Sequence, residues 1–297
     1  METRRLGPLS VSVVGLGCNN FGRRIDAVAT KPVVDAALDA GITFLDTADV
    51  YGEGESERLI ARALGDRRDA VVLATKFGKP MGDGVERRGT RAYMRAALEA
   101  SLQRLATDRV DLYLHHEEDT GTPLEETVGA LDELVREGKI RAYGTSNYTA
   151  ARIERFASLA RGPYVSEQSE YSWLTRHAED ELLPTCERLG LGFIPYFPLA
   201  SGLLTGKYRR GQPAPEGTRL EGREISSRQY DRVEALEGFA RERGVTLLDV
   251  AIGGLAAMRP VASVIAGATK PEQARANAAA GGWTPSEEEL AALRALV

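Results

Sequence analysis

The sequence predicts one α/β domain, a (β/α)8 TIM barrel over residues 1–297, with extra helices and a long loop after its seventh strand. Two features predict this fold. First, short β-rich segments alternate with amphipathic helical segments, which indicates parallel strands because parallel neighbours need a crossover connection. Second, there are eight such β-rich segments, which favours a closed barrel over an open doubly wound sheet. A barrel often uses about 250 residues as one unit, so the length is consistent with one domain.

The predicted elements follow one another along the whole chain. The strands are residues 11–15, 43–46, 70–76, 110–116, 140–146, 165–168, 192–196 and 263–267. The helices are residues 32–40, 55–64, 91–105, 123–137, 150–160, 179–189, 229–243, 247–258, 271–280 and 286–297. Five helices are followed by a glycine, which is favoured as a left-handed residue at a helix end; these are Gly41, Gly65, Gly138, Gly190 and Gly244.

Three helix starts combine threonine and proline. Residues 122–125 (TPLE) have the pattern of a capping box with Pro at the first helical position, and residues 269–272 (TKPE) and 284–287 (TPSE) are similar. Residues 208–228 interrupt the alternation, since they are rich in Arg, Gly, Pro and Ser and have little hydrophobic periodicity. A segment of that length predicts a lid, a binding loop or disorder.

The composition is that of an ordinary globular protein, and it disfavours several classes of function. The 38 basic and 43 acidic residues give a net charge of -5, and no basic stripe suggests a nucleic-acid partner. The start of the chain lacks the apolar core of a signal peptide, and no apolar run is long enough to span a membrane. We therefore expect a cytoplasmic protein without a membrane partner. Cys18 and Cys186 form neither a disulfide framework nor a metal motif.

Polar side chains stand where the predicted strands end. They are Asp46, Lys76, His116, Ser146 with Asn147, Gln168 and Tyr196, on the second to the seventh strand. Each alone has an ordinary explanation, such as a turn cap or an exposed lysine. In a parallel barrel, however, all carboxyl ends of the strands share one rim, and active sites lie there. Their joint placement therefore predicts a functional site.

A glycine-rich turn at residues 15–17 (GLG) follows the first strand but does not complete a dinucleotide-binding fingerprint. The position that should hold the third glycine is Asn20, and the predicted helix begins well downstream. Any dinucleotide must therefore bind in another way.

Several segments resemble the aldo-keto reductase family. Residues 44–52 (FLDTADVYG) look like the family segment with its Asp and Tyr, residues 73–78 (LATKFG) like the one with its Lys, and residues 110–116 (VDLYLHH) like the strand that delivers its His. The resemblance covers nearly the whole chain in order. It implies an NADPH-dependent reduction of an aldehyde or ketone with Asp46, Tyr51, Lys76 and His116 as catalytic residues.

The resemblance also implies where NADPH binds. Residues 144–147 (GTSN) and 167–168 (EQ) are similar to nicotinamide-contacting strand ends, and residues 196–199 and 202–208 to the segment whose Tyr stacks on the ring. Residues 267–273 (GATKPEQ) and Asn277 are similar to the site for the 2′-phosphate and adenine. The implied cofactor-binding residues are Gly17, Cys18, Asp46, Ser146, Asn147, Gln168, Tyr196, Pro198, Leu199, Gly202, Lys207, Gly267, Thr269, Lys270, Gln273 and Asn277. Glu167 departs from the pattern, because many members have Asn there.

The chemistry of these residue types agrees with the implied roles. A neighbouring ammonium, Lys76, favours the phenolate and so should lower the pKa of Tyr51, while Asp46 keeps Lys76 charged. His116 would position the substrate oxygen or relay the proton at lower pH. Lys270 at the start of a helix suits a phosphate, which favours NADPH over NADH. Aromatic residues near the rim, among them Phe21 and Trp173, could line the substrate pocket or belong to the core.

Two other readings remain open. Lys76 at a strand end could form a Schiff base, as in aldolases. The chain could instead be a nicotinamide-binding regulatory subunit of the channel-associated type found within the resembled family. The sequence does not identify the carbonyl substrate, because specificity depends on loops such as residues 208–228. A monomer is expected by analogy with much of the family.

Overall fold

The computed structural model describes residues 1–82 and 84–296 and has the predicted (β/α)8 barrel. Two short antiparallel strands come first, β1 (Thr3–Leu6) and β2 (Leu9–Ser12). The eight parallel strands of the barrel are β3 (Val14–Gly17), β4 (Phe44–Asp46), β5 (Val72–Phe77), β6 (Val110–His115), β7 (Ile140–Ser146), β8 (Tyr164–Glu170), β9 (Gly192–Tyr196) and β10 (Val264–Gly267).

The eight strands form one sheet in the order β10-β3-β4-β5-β6-β7-β8-β9. Backbone hydrogen bonds then join the two ends of this sheet. Phe193 of β9 donates to Pro260 O over 3.0 Å and accepts from Ala262 N over 2.8 Å, just before β10 begins. These bonds bring β9 beside the segment that leads into β10, so the sheet curves round into a barrel.

The helices alternate with the barrel strands as predicted. They are α1 (Ala27–Asp39), α2 (Glu55–Leu64), α3 (Arg91–Leu105), α4 (Leu124–Arg136), α5 (Ala150–Leu159), α6 (Leu182–Leu189), α7 (Ser227–Glu242), α8 (Leu247–Ala256), α9 (Pro271–Ala280) and α10 (Glu287–Leu296). Two helices follow β9 and two follow β10, which accounts for the extra helices. The last residue of the predicted helix 286–297 lies outside the described residues. Among the described residues, no helix is both long and apolar enough to cross a membrane.

Helix ends were predicted better than helix starts. The five glycines predicted after helices all have positive φ, from +53° at Gly65 to +85° at Gly41. The capping box predicted at Thr122 is wrong, because Pro123 is the N-cap and the Thr122 hydroxyl donates to Asp119 instead. Near the C-terminus the box is shifted, with Ser286 and Glu289 exchanging hydrogen bonds. Helix α1 begins at Ala27 rather than residue 32, since the Asp26 side chain caps it.

The predicted strand over residues 11–15 was wrong in its bounds. The apolar run is shared between β2, which pairs with β1, and β3, which belongs to the barrel. The β1–β2 hairpin places Leu6 and Leu9 in one buried cluster with Phe44, Leu112 and other side chains of the barrel interior. The hairpin therefore covers the amino-terminal end of the barrel and leaves the carboxyl end open for a site.

Candidate active site

The alternation of side chains along the strands determines which polar residues enter the barrel. Phe44 and Leu114 face inward in the buried interior cluster, so the residues two positions later, Asp46 and His116, face inward above them. The same step leads from Ala74 to Lys76. Residues of the other parity, such as Phe77 and His115, face the surrounding helices and stack on each other with ring centroids 4.7 Å apart. The predicted polar residues are thus brought together at one rim.

A buried ion pair between Lys76 and Asp46 lies at this rim. The Lys76 ammonium donates to Asp46 Oδ2 and, over 2.7 Å, to Thr47 O. Gln168 Nε2 donates to Asp46 Oδ1 over 2.8 Å. The side chains of Lys76 and Asp46 are 0% and 2% exposed, so this pair is removed from solvent. Burial lowers the pKa of Lys76, but Asp46 and Tyr51 outweigh it and leave the pKa above its ordinary value.

Tyr51 stands above this pair on the turn that follows β4. The Lys76 ammonium lies 5.1 Å from the centroid of its ring. Burial raises the pKa of Tyr51, and the charge of Lys76 opposes that rise without cancelling it. The net direction differs from the sequence-based expectation of a lowered pKa, because burial of the phenol was not visible in the sequence. The phenol is therefore protonated at neutral pH.

His116, not His115, faces the cavity. Its ring meets that of Tyr51 edge to face at 5.8 Å, and its buried Nδ1 has no hydrogen-bond partner among the described residues. Burial, with the nearby charges of Lys76 and Lys79, lowers the pKa of His116 well below its usual range. The imidazole is thus neutral, which favours hydrogen bonding to a substrate oxygen over proton relay. His115 is buried outside the barrel, with Nδ1 2.8 Å from the hydroxyl of Tyr148.

Asn147 links His116 at the end of β6 to Tyr196 at the end of β9. Its Nδ2 donates to His116 O over 3.0 Å, and its Oδ1 accepts from the Tyr196 hydroxyl over 2.8 Å. The residue has φ +61°, a left-handed conformation that Asn tolerates better than most residues. The hydrogen bond with Asn147 fixes Tyr196 at the rim, where its side chain lines the cavity.

A cavity of about 880 Å³ opens on this rim and brings together most of the residues singled out in the sequence. Its lining includes Gly17, Cys18, Asp46, Tyr51, His116, Asn147, Gln168, Tyr196, Pro198, Leu199, Gly202, Lys207, Gly267, Thr269, Lys270, Gln273 and Asn277. Two of the predicted catalytic and cofactor-binding residues do not line it. Lys76 lies behind Asp46, and Ser146 is buried and accepts a hydrogen bond from Asn147 Nδ2.

The far end of the cavity lies at the start of α9. Lys270 is the N-cap of this helix, and its side chain makes no capping hydrogen bond, with Pro271 following at the first turn. The sequence predicted that Thr269 opens this helix, but the N-cap lies one residue later. The Thr269 amide and hydroxyl instead donate to Gln273 Oε1. Lys270 is exposed and free of ion pairs among the residues the structure describes. A helix start with an adjacent free ammonium suits an anion.

Sequence reasoning missed a cluster of arginines at the mouth of the cavity. Arg219 belongs to the predicted loop, whose residues 208–226 contain neither helix nor strand, whereas its last two residues begin α7. Arg219 donates to Asn20 Oδ1 over 2.9 Å. Arg24 donates to Gly217 O over 3.0 Å. These two bonds hold the loop across the cavity. Burial and the charges of Arg24 and Arg23 lower the pKa of Arg219. No local motif marks these residues, because they meet only through the fold.

Burial decides between the two alternatives left open for the aromatic residues near the rim. Phe21 and Trp173 are each 0% exposed and belong to the core rather than to the cavity lining. Glu167 faces away from the cavity, where its carboxyl accepts from Thr145 and Ser169 and burial raises its pKa to about 7. Its difference from the resembled pattern therefore does not change the surface of the cavity. Cys18 and Cys186 are free and buried.

Comparisons with known proteins agree with this architecture. The model of the "Aldo/keto reductase family" matches residues 13–297. A protein of Oryza sativa subsp. japonica called "probable voltage-gated potassium channel subunit beta" is 38% identical over 293 residues, covering 92% of this chain and 89% of that protein. A protein of Arabidopsis thaliana with the same description is 36% identical over 300 residues, covering 93% and 90%.

Proposed function

The chain belongs to the aldo/keto reductase family, and on that premise we propose that it reduces an aldehyde or ketone to the alcohol with NADPH, using Tyr51 as proton donor. One observation carries the proposal. Tyr51 and His116 present their polar groups to the same cavity directly above a buried Lys76–Asp46 pair. We propose further that residues 1–297 act as one domain, and that the protein is a cytoplasmic monomer.

The shape and charge of the cavity support NADPH as the ligand. It runs from Tyr51 and His116 to Lys270 and Asn277, so one elongated ligand can reach both ends. Lys207, Arg219 and Lys270 line it, and their charges suit the diphosphate and the 2′-phosphate. Tyr196 offers a ring beside which a nicotinamide can stack, and Asn147 and Gln168 offer amides for its carboxamide.

The proposed chemistry divides between cofactor and protein. NADPH supplies the hydride that reaches the carbonyl carbon. Tyr51 holds its proton in the resting protein and donates it to the oxygen as negative charge develops there. The Lys76 ammonium stabilises the phenolate that remains, and Asp46 keeps that ammonium charged and in place. Neutral His116 donates a hydrogen bond to the same oxygen and orients the carbonyl.

The general test is NADPH oxidation, followed by absorbance, with a panel of aldehydes and ketones. We expect turnover of some panel members, with the alcohol recovered in equal amount. Cofactor binding is measured separately by fluorescence. A protein that does not bind NADPH would overturn the proposal.

Lys270 should set the preference for NADPH. We expect Lys270→Glu to weaken NADPH binding about 10- to 100-fold and NADH binding far less, because only NADPH carries the 2′-phosphate. Titration of each dinucleotide measures the two dissociation constants. Lys139→Glu, at the amino-terminal end of β7 and far from this rim, is the control. Equal losses for both dinucleotides would refute the assignment.

Arg219 should control how long the cofactor stays bound. We expect Arg219→Gln to raise the NADPH dissociation rate about tenfold, because it removes both a charge at the cavity and the bond to Asn20 that holds the loop. Stopped-flow displacement measures this rate. Arg223→Gln, in the same loop but not lining the cavity, is the matched control. An unchanged dissociation rate would show that the loop does not retain the cofactor.

The names of the relatives favour a second candidate function, that of a channel-associated regulatory subunit. A subunit with this role alone would bind NADPH tightly and turn over no carbonyl compound. The intact set of Tyr51, Lys76 and His116 supports catalysis instead, and the two roles can coexist in one protein. A Schiff-base lyase is disfavoured, because Lys76 does not line the cavity and its amine is protonated.

A further inference from the structure

A lysine that the proposed mechanism does not use stands between the two groups that hold the carbonyl oxygen. Tyr51 follows β4 and His116 follows β6, and Lys79 follows β5, the strand between them. Lys79 lines the same cavity and is half-buried there. Its ammonium is close enough to His116 to lower the pKa of that imidazole.

The positive charge of Lys79 is not paired with any group in the part of the chain that the structure describes. Over residues 1–82 and 84–296, no hydrogen bond or ion pair engages its ammonium. Lys76, three residues earlier, is by contrast fully committed to Asp46 and Thr47. Among the acidic groups near the rim, Glu118 pairs with Arg152. Glu117, which follows His116, and Glu216, which lines the cavity, form no ion pair with Lys79. A half-buried cation without a counter-ion favours an anionic ligand.

The topology separates Lys79 from the cations suited to NADPH. In the ring of strands, two strands separate β5 from β10, which leads to Lys270, and three separate it from β9, which leads to Lys207. Lys79 therefore faces the part of the cavity next to Tyr51 and His116, where the carbonyl substrate binds. A phosphate of the cofactor and an anionic group of the substrate would therefore bind at different parts of the rim.

We propose that Lys79 selects carbonyl substrates that carry a carboxylate, and that it binds this group while Tyr51 and His116 hold the carbonyl oxygen. The inference rests on the proposed reductase function and gives it a substrate class. Val50, next to Tyr51, and Ile25 also line the cavity and supply apolar contact for the part of the substrate between the two polar groups.

The test compares two substrates of nearly equal shape, para-carboxybenzaldehyde and para-carbamoylbenzaldehyde, in wild type, Lys79→Met and Lys79→Arg. We expect wild type to prefer the acid. The ratio of kcat/KM for acid over amide should fall about 10- to 100-fold in Lys79→Met, the range expected when a charged hydrogen bond is lost. Lys79→Arg should restore most of it. Lys31→Met, which removes an exposed lysine of α1, is the control.

A binding measurement separates this inference from the reductase proposal. Calorimetry compares benzoate with benzamide on the cofactor-free protein and on the NADP⁺ complex, and we expect a benzoate preference that Lys79→Met abolishes. If wild type reduces both aldehydes but the ratio is the same in Lys79→Met, the inference is overturned and the reductase stands. If nothing is reduced but benzoate binding depends on Lys79, the reductase proposal fails and the anion site stands. If nothing is reduced and benzoate binding does not depend on Lys79, both the reductase proposal and the anion site are overturned.

Discussion

Replacing Tyr51 by Phe should reduce kcat for any carbonyl substrate by about 10³-fold while leaving NADPH affinity within about threefold of wild type. The reason is that Phe keeps the ring and its packing near Lys76 but has no proton to give. Hydride transfer would then create an alkoxide with only the His116 hydrogen bond to stabilise it. Steady-state kinetics measure kcat, and a separate titration measures the affinity for NADPH.

The control for this experiment is Tyr230→Phe. The Tyr230 hydroxyl donates to Arg209 O and does not line the cavity, so the same atom is deleted without touching the site. If Tyr51→Phe retained more than about a tenth of wild-type kcat, another group would have to supply the proton, and the assignment of Tyr51 would be wrong. If wild type bound NADPH and reduced nothing, the regulatory role suggested by the relatives' names would gain weight.

The barrel could be predicted from the sequence because its elements are marked locally. Helices α2, α3 and α9 were predicted to the residue, since glycines, prolines and apolar periodicity mark their ends. The β1–β2 hairpin was not predicted, because its strands have four residues each and the apolar run of β2 continues into β3. Helix starts were also misplaced where several Thr, Ser and Pro residues compete for the cap, as at Thr122.

The set of residues at the rim could be predicted for a different reason. A side chain at the carboxyl end of a parallel barrel strand reaches the same mouth whatever the details of packing, so Asp46, His116 and Gln168 needed only the correct strands. Parity along β6 then separates His116 from His115 without further information. The resemblance to the family predicted the chemical roles of these residues, whereas the barrel topology alone predicted that they lie at one rim.

What the sequence could not provide depends on contacts between distant segments. Arg24 and Arg219 are 195 residues apart and meet only because the loop after β9 folds back over the cavity. The raised pKa of Tyr51 depends on how much of the phenol is withdrawn from water, which no local pattern reports. The unused charge of Lys79 likewise becomes evident only when its surroundings are known.

The buried Lys76–Asp46 pair should give the largest effect on stability. Lys76→Met leaves the Asp46 carboxylate, 2% exposed, with the Gln168 amide but without its cation. Removing one partner of a buried pair typically costs about 3–5 kcal/mol, so we expect the free energy of unfolding to fall by that amount in urea. Turnover should also be lost, because nothing then stabilises the Tyr51 phenolate.

The double variant Asp46→Asn/Lys76→Met separates these two effects. It removes both charges while keeping side chains of similar volume, and replacing a buried pair as a whole is often neutral for stability. We therefore expect it to recover most of the lost free energy of unfolding and yet to remain inactive, since the cation near Tyr51 is still absent. If the double variant were as unstable as the single one, packing rather than the unpaired carboxylate would explain the loss. If it regained turnover, Lys76 would not be needed for the proton transfer, and the role assigned to the pair would have to be abandoned.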